Sequence, residues 1–211
     1  MNIGTDLGTF VLTHTSLTQL PFLPELRLHL AEELIPVWQQ SEREDPPFWA
    51  FAWAGGQALA RYLLDHPNLV SGARVLDIAS GCGVSAIAAA RCGASLVVSN
   101  DLDGYPQAAI ELNAKANEVE VQFRLGDLLD STQTGFDVIL AGDVFYSREM
   151  SSRVTSFLER STAALALVGD PGRAYAPTQG FEIVATYEVP VNKDLESTEV
   201  KRTSILRRVH G

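Results

Sequence analysis

The chain has 211 residues, 46% of them hydrophobic and 20% charged, a composition that suits one folded domain and excludes a disordered chain. Its formal net charge of −10, from 26 Asp+Glu against 16 Lys+Arg, repels phosphate backbones and argues against a nucleic-acid partner. The imbalance is uneven, with 23 acids and 11 bases in residues 1–189 but 3 and 5 in residues 190–211.

The first basic residue is Arg27, so no cationic leader is expected, and no apolar run reaches membrane-spanning length. Cys82 and Cys92 are too few for a disulfide scaffold or a zinc site. A soluble, cytoplasmic protein with no membrane partner is expected.

In chain order, Leu26, Leu28 and Leu30 alternate with Arg27 and His29, which predicts a strand within 25–30. A helix over 32–40 can follow, with Pro36 against it. Residues 1–45 read as an extension packing on a domain that spans 46–211. The apolar run Arg74–Ile78 predicts a strand that opens into a glycine loop. The alanine-rich stretch 84–92 predicts a helix closed by Gly93. Strands are expected at 96–99, 119–125, 136–141 and 163–168, with helices at 106–117 and 148–160. This alternation implies an α/β fold with a mostly parallel sheet covered on both faces. Residues 181–189 and 198–209 both read as strands joined by a polar segment without a helix, giving an antiparallel C-terminal hairpin.

The strands from 74 to 170 end on or just before an acid: Asp77, Asp101, Asp127, Asp143 and Asp170. In a parallel sheet these ends share one edge, where open α/β sheets bind ligands, so the five carboxylates are expected to line one crevice. Aspartate is also a good turn former and helix cap, which accounts for any one of them alone.

The loop after the first of these strands reads Asp77-Ile-Ala-Ser80-Gly81-Cys-Gly83. With Ala86 it matches the dinucleotide fingerprint, and Asp101 lies 20 residues after Gly81, so nicotinamide or flavin binding competes. Asp77 beside a pyrophosphate is repulsive, however, and Ser80 lengthens the turn before the first glycine. S-adenosylmethionine meets neither objection, because it carries an ammonium, a sulfonium and a ribose but no phosphate. Asp77 then favours the amine, Ser80, Gly81 and Gly83 allow close backbone approach, and Asp101 with Leu102 takes the ribose. Asp127 accepts from the adenine amino group, with Leu128 on the ring. The four histidines, His14, His29, His66 and His210, show no metal spacing, and metal-free chemistry is expected.

Taken together with Pro46-Pro-Phe-Trp-Ala-Phe-Ala-Trp53-Ala-Gly-Gly-Gln57, Asp143-Val-Phe-Tyr146 and Gly169-Asp-Pro-Gly-Arg173, the chain resembles the seven-β-strand (class I) protein-lysine methyltransferases that modify the electron-transfer flavoprotein β subunit. The resemblance runs from about residue 20 to the C-terminus. It implies a Rossmann-like fold, S-adenosylmethionine as cofactor, and Trp53 beside it. It also implies that 143–146 borders the acceptor site, with Asp143 and Tyr146 catalytic and Phe145, Tyr146 and Arg173 contacting substrate. The implied acceptor is a lysine of the flavoprotein, with a ribosomal stalk protein as a further target in some members. A small-molecule, nicotinamide-like N-methyltransferase and an inactive nucleotide-binding scaffold remain as alternatives.

Overall fold

The computed structural model describes residues 3–41 and 43–209. The N-terminal part holds α1 (Ile3–His14), β1 (Ser16–Leu20), β2 (Leu23–Leu30) and α2 (Leu34–Ser41). Then come α3 (Ala54–Asp65), β3 (Arg74–Ile78), α4 (Val84–Arg91), β4 (Leu96–Asp101), α5 (Gly104–Ala116), β5 (Gln122–Leu125) and β6 (Val138–Gly142). The chain continues through α6 (Arg148–Arg160), β7 (Leu165–Asp170), β8 (Phe181–Pro190), the one-turn α7 (Lys193–Glu196) and β9 (Val200–Arg208).

Seven strands form one sheet in the order β5-β4-β3-β6-β7-β9-β8. The first five of these are parallel, and β8 and β9 close the edge antiparallel, as expected. The chain runs outward from β3 through β4 to β5, then returns to β6 on the other side of β3. This reversal puts the ligand-binding crevice at the carboxyl ends of β3, β4 and β6.

Alternation along each strand sorts the core onto two faces. Val75, Leu140 and Leu167 pack under α3 and α4 with Leu59, Leu63 and Ile87. Leu76, Ile139 and Val168 pack against Val154, Phe157 and Leu158 of α6. Strands buried on both faces read as continuous apolar runs, and for that reason 74–78 and 136–141 were visible in the sequence.

Two N-terminal elements were not expected, while the helix over 32–40 is present as α2. α1 and β1 carried no periodic signal, and β1 pairs with β2 in a separate two-stranded sheet. Pro36 is the third residue of α2, where its missing N–H costs no helical bond. The outer edge of β2 is bonded by side chains of α5 and its C-cap instead of a strand: the N–H groups of Arg27 and His29 donate to Asn117 and Asn113 Oδ1 at 3.0 and 2.6 Å.

Two differences lie further along. The predicted strand 119–125 shortens to Gln122–Leu125, because Val119 is used to close α5. Its N–H donates to Ala114 O and that of Glu118 to Lys115 O, with Glu118 at φ 57°, a Schellman closure. The polar connector after β8 contains the one-turn α7, where a helix-free turn was expected.

Candidate active site

The loop after β3 is tied down mainly by Ser80. Its N–H donates to Asn100 O at 3.0 Å, its hydroxyl donates to Asp77 O at 2.8 Å, and that hydroxyl accepts from Asn100 N–H at 3.1 Å. The Gly81 N–H donates to Asp101 Oδ2 at 3.0 Å, and Asp101 Oδ1 accepts from Leu102 N–H at 2.8 Å. Burial holds the Asp101 pKa above the usual carboxylate range, although these two bonds oppose it. Gly83 sits at φ 78°, and a Cβ there would lie 2.7 Å from Ile110 Cγ1 of α5. Only glycine suits that position.

Asp77 is 1% exposed, and among the described residues neither of its carboxylate oxygens has a hydrogen-bond partner. Burial, reinforced by the Asp101 charge, pushes its pKa up to about 7. Its neighbour in register on β4, Ser99, is also fully buried with an unpartnered hydroxyl. Buried polar groups are ordinarily bonded, so a pair of orphans marks a place built for a polar ligand or water.

Asp127, after β5, is less buried. It accepts from Leu129 N–H at 3.0 Å and from Arg153 at 2.7 Å, and the Arg153 bond holds its pKa low. Leu128 packs partly against the α6-side core, and Leu102 stands 68% exposed at the crevice mouth. Asn100 was not singled out from the sequence; it donates to Arg124 O and Gly126 O at 2.8 and 2.7 Å, fixing the loop that carries Asp127. An amide just before the aspartate that ends the strand 96–101 was the available signal. Trp53 precedes α3, donates from Nε1 to Phe48 O at 2.9 Å and meets Phe48 edge-on, whereas Phe51 is core.

After β6, Asp143 turns the chain at φ 61°. Its Oδ2 accepts from the Gly55 N–H at 3.1 Å, so it caps the N-terminus of α3 from another part of the chain. Its Oδ1 accepts from Arg173 Nε at 2.6 Å. Tyr146 follows, half-exposed, just before Ser147, whose hydroxyl caps α6 at Met150 N–H. Partial burial and the charges of Asp101, Asp45 and Glu149 raise the Tyr146 pKa.

Three expectations need correction. The five carboxylates share an edge but not an open crevice: Asp77, Asp143 and Asp170 are buried. Asp170 closes its own turn, accepting from the Gly172 N–H at 2.9 Å. Phe145 is fully buried and edge-on to Phe181, so it supports the loop from below and presents no surface to a substrate. Arg173 does not reach toward solvent either; its guanidinium is spent on Asp143 and Glu196. Of the histidines, His14 stacks on Phe10, His66 ends α3, the buried Nδ1 of His29 has no partner among the described residues, and His210 lies outside them.

A family model described as "Ribosomal protein L11 methyltransferase (PrmA)" matches residues 58–145. The chain is 40% identical over 173 residues to the electron transfer flavoprotein beta subunit lysine methyltransferase of Xenopus laevis, covering 79% of this chain and 70% of that one. The chain belongs to the electron transfer flavoprotein beta subunit lysine methyltransferase family. The member from Danio rerio is 38% identical over 177 residues, covering 80% of this chain and 69% of its own. Among solved structures, magnesium protoporphyrin IX methyltransferase (ChlM) from Synechocystis PCC 6803 with bound SAM shares the fold, with a TM-score of 0.55 at 20% identity over 73% of this chain and 78% of that one. Family membership gives the orphaned Asp77 and the Asp101-anchored loop a methyltransferase setting. Among the described residues, no helix is long and apolar enough to cross a membrane.

Proposed function

We propose that the protein is an S-adenosylmethionine-dependent protein-lysine N-methyltransferase whose acceptor is a lysine of the electron transfer flavoprotein β subunit. The observation that carries this reading is Asp77, a fully buried carboxylate without an internal partner beside the glycine loop of a family member. An α-ammonium satisfies that charge, directly or through water, whereas a dinucleotide pyrophosphate is repelled by it. Asp101 keeps lone pairs for ribose hydroxyls beyond its two backbone bonds. Asp127 and Leu128 serve the adenine, and Trp53 and Leu102 wall the pocket. When bound, S-adenosylmethionine supplies an electrophilic methyl group.

The chain's own work is then to align and dry the acceptor nitrogen. A lysine of reference pKa about 10.4 reaches its neutral form at pH 7 at a cost of roughly 4–5 kcal/mol. Partial burial beside Tyr146 lowers that cost by disfavouring the ammonium, and the phenol orients the amine. Asp143 has both oxygens met, by Arg173 and by the Gly55 N–H. It fixes the turn that carries Tyr146, while solvent takes the proton.

In the same reading, residues 46–211 are the methyltransferase domain with 1–45 packed on it, acting in the cytoplasm on a protein and not on nucleic acid. A ribosomal stalk protein is a second candidate acceptor. Incubation with tritiated S-adenosylmethionine and purified flavoprotein tests the proposal, with label expected in the β subunit on lysine. Label entering only a small molecule overturns the protein acceptor. Absence of a thermal shift with S-adenosylmethionine overturns the cofactor.

A further inference from the structure

Arg173 is the centre of an ion network that joins three separate segments. Its Nε donates to Asp143 Oδ1 at 2.6 Å, and its Nη1 and Nη2 donate to Glu196 Oε2 and Oε1 at 3.2 and 2.7 Å. The Lys201 Nζ lies 3.4 Å from Glu196 Oε2. The side chains of Asp143 and Glu196 are each only 5% exposed, and that of Arg173 23%. Two carboxylates and two cations therefore meet in a nearly closed space, with the buried Asp170 beside them. Such a forked guanidinium fixes direction as well as charge.

Each end of this network has a separate consequence. At one end, Asp143 holds a left-handed backbone at φ 61°, a conformation a non-glycine residue keeps only when its surroundings hold it there. The Gly55 N–H and Arg173 hold its side chain, its own N–H donates to Gly169 O at 2.8 Å, and Tyr146 lies three residues further on. At the other end, Glu196 is the last residue of α7, the single helical turn between β8 and β9. That turn places a buried carboxylate 23 residues beyond Arg173, far from any motif.

We propose that Glu196 is a positioning residue for the acceptor loop: through the Arg173 fork it holds Asp143 in its strained turn and so sets the place of Tyr146. This rests on reading 143–146 as the acceptor loop. Without the Glu196 fork, Arg173 keeps only its single bond to Asp143, and the direction of that bond is no longer fixed from the far side. The cofactor loop, tied to Asp101 and Asn100, is untouched by this change.

The test uses full-length protein carrying Glu196→Gln, which keeps the shape and removes the charge, and Arg173→Lys, which keeps the charge and removes the fork. Hydrogen exchange in residues 142–147 should rise severalfold in both, while residues 74–101 exchange as in the wild type. With the flavoprotein as acceptor, kcat should fall about tenfold to a hundredfold with the KM for S-adenosylmethionine unchanged. The Asp143→Asn/Glu196→Gln double variant should be no slower than Asp143→Asn alone, within about twofold, because one residue acts through the other. Unchanged exchange at 142–147 overturns the inference, and so do effects on kcat that multiply. If the wild-type protein transfers no methyl group to the flavoprotein, the acceptor reading falls, and the exchange measurement alone decides the inference.

Discussion

The Gly81 N–H donates to Asp101 Oδ2 at 3.0 Å, a bond that closes the gap between the loop after β3 and the end of β4. One carboxylate thus shapes the glycine loop and still faces the crevice with lone pairs to spare. Asp101→Ala removes both contributions. It should weaken S-adenosylmethionine binding about tenfold or more and cost about 1–2 kcal/mol of stability, with the fold retained. Calorimetric titration and thermal melting separate the two effects. Unchanged affinity would remove Asp101 from the ribose site.

Asp77 makes the cofactor-free protein pH-sensitive. Its folded pKa is raised to about 7 from the ordinary 3.8 of an aspartate, so between these pH values the folded chain holds a proton that the unfolded chain has released. Stability is therefore greater at the acid end of this window and falls as pH rises through it, by up to about 4 kcal/mol. Asp77→Asn should flatten that slope and raise the melting temperature at pH 8, while weakening cofactor binding. Melting curves from pH 5 to 8 on both proteins test this, and a parallel pH slope in the variant would contradict it.

Cofactor binding should release a proton near pH 7, because an ammonium beside Asp77 draws its pKa down. Titrations in buffers of different ionisation enthalpy read this number directly. A zero value in the wild type, or the same release in Asp77→Asn, counts against Asp77 as the amine's partner.

Substitutions on the acceptor side should change turnover more than cofactor affinity. Tyr146→Phe removes one half-exposed hydroxyl and should lower kcat severalfold with melting unchanged. Asp143→Ala breaks a buried pair, so about 3 kcal/mol of stability is expected to go with the activity. Turnover that survives Asp143→Ala would move the acceptor site elsewhere.

Gly83→Ala should cost well over 1 kcal/mol, because it combines a left-handed backbone with a Cβ 2.7 Å from Ile110 Cγ1. Chemical denaturation measures the loss. If the cost were a few tenths of a kcal/mol, the contact between α4 and α5 would be softer than this packing indicates.

The two-faced strands and the alanine-rich helix ending at Gly93 were legible because their cause is local: burial on both sides, and a cap in sequence. α3 escaped notice because Gly55 and Gly56 fall in its first turn, where their low helix propensity masks the periodicity of 57–63. Its cap is also remote, supplied by Asp143, 88 residues away. The acids at the ends of β3, β4 and β5 could be placed on one sheet edge because each closes its own strand. The partners of Asp143 could not, since Arg173 and Glu196 meet it across the fold, and a side chain's partner across the fold leaves no periodicity behind. Phe145 misled for a similar reason: an aromatic after a strand looks the same whether it faces the pocket or the core.

Beneath the acceptor loop, the backbone of α3 lies directly on the strand ends. A Cβ at Gly142 would stand 2.8 Å from Gly56 Cα, and side chains at Gly55 or Gly169 would run into each other's backbone. This floor has no slack, so even one added methyl group would lift a helix from the sheet. Side chains with room to change stand elsewhere, among them the exposed Phe48, Leu102, Tyr146 and Tyr175. Change is confined to such margins, above a base that tolerates almost no variation.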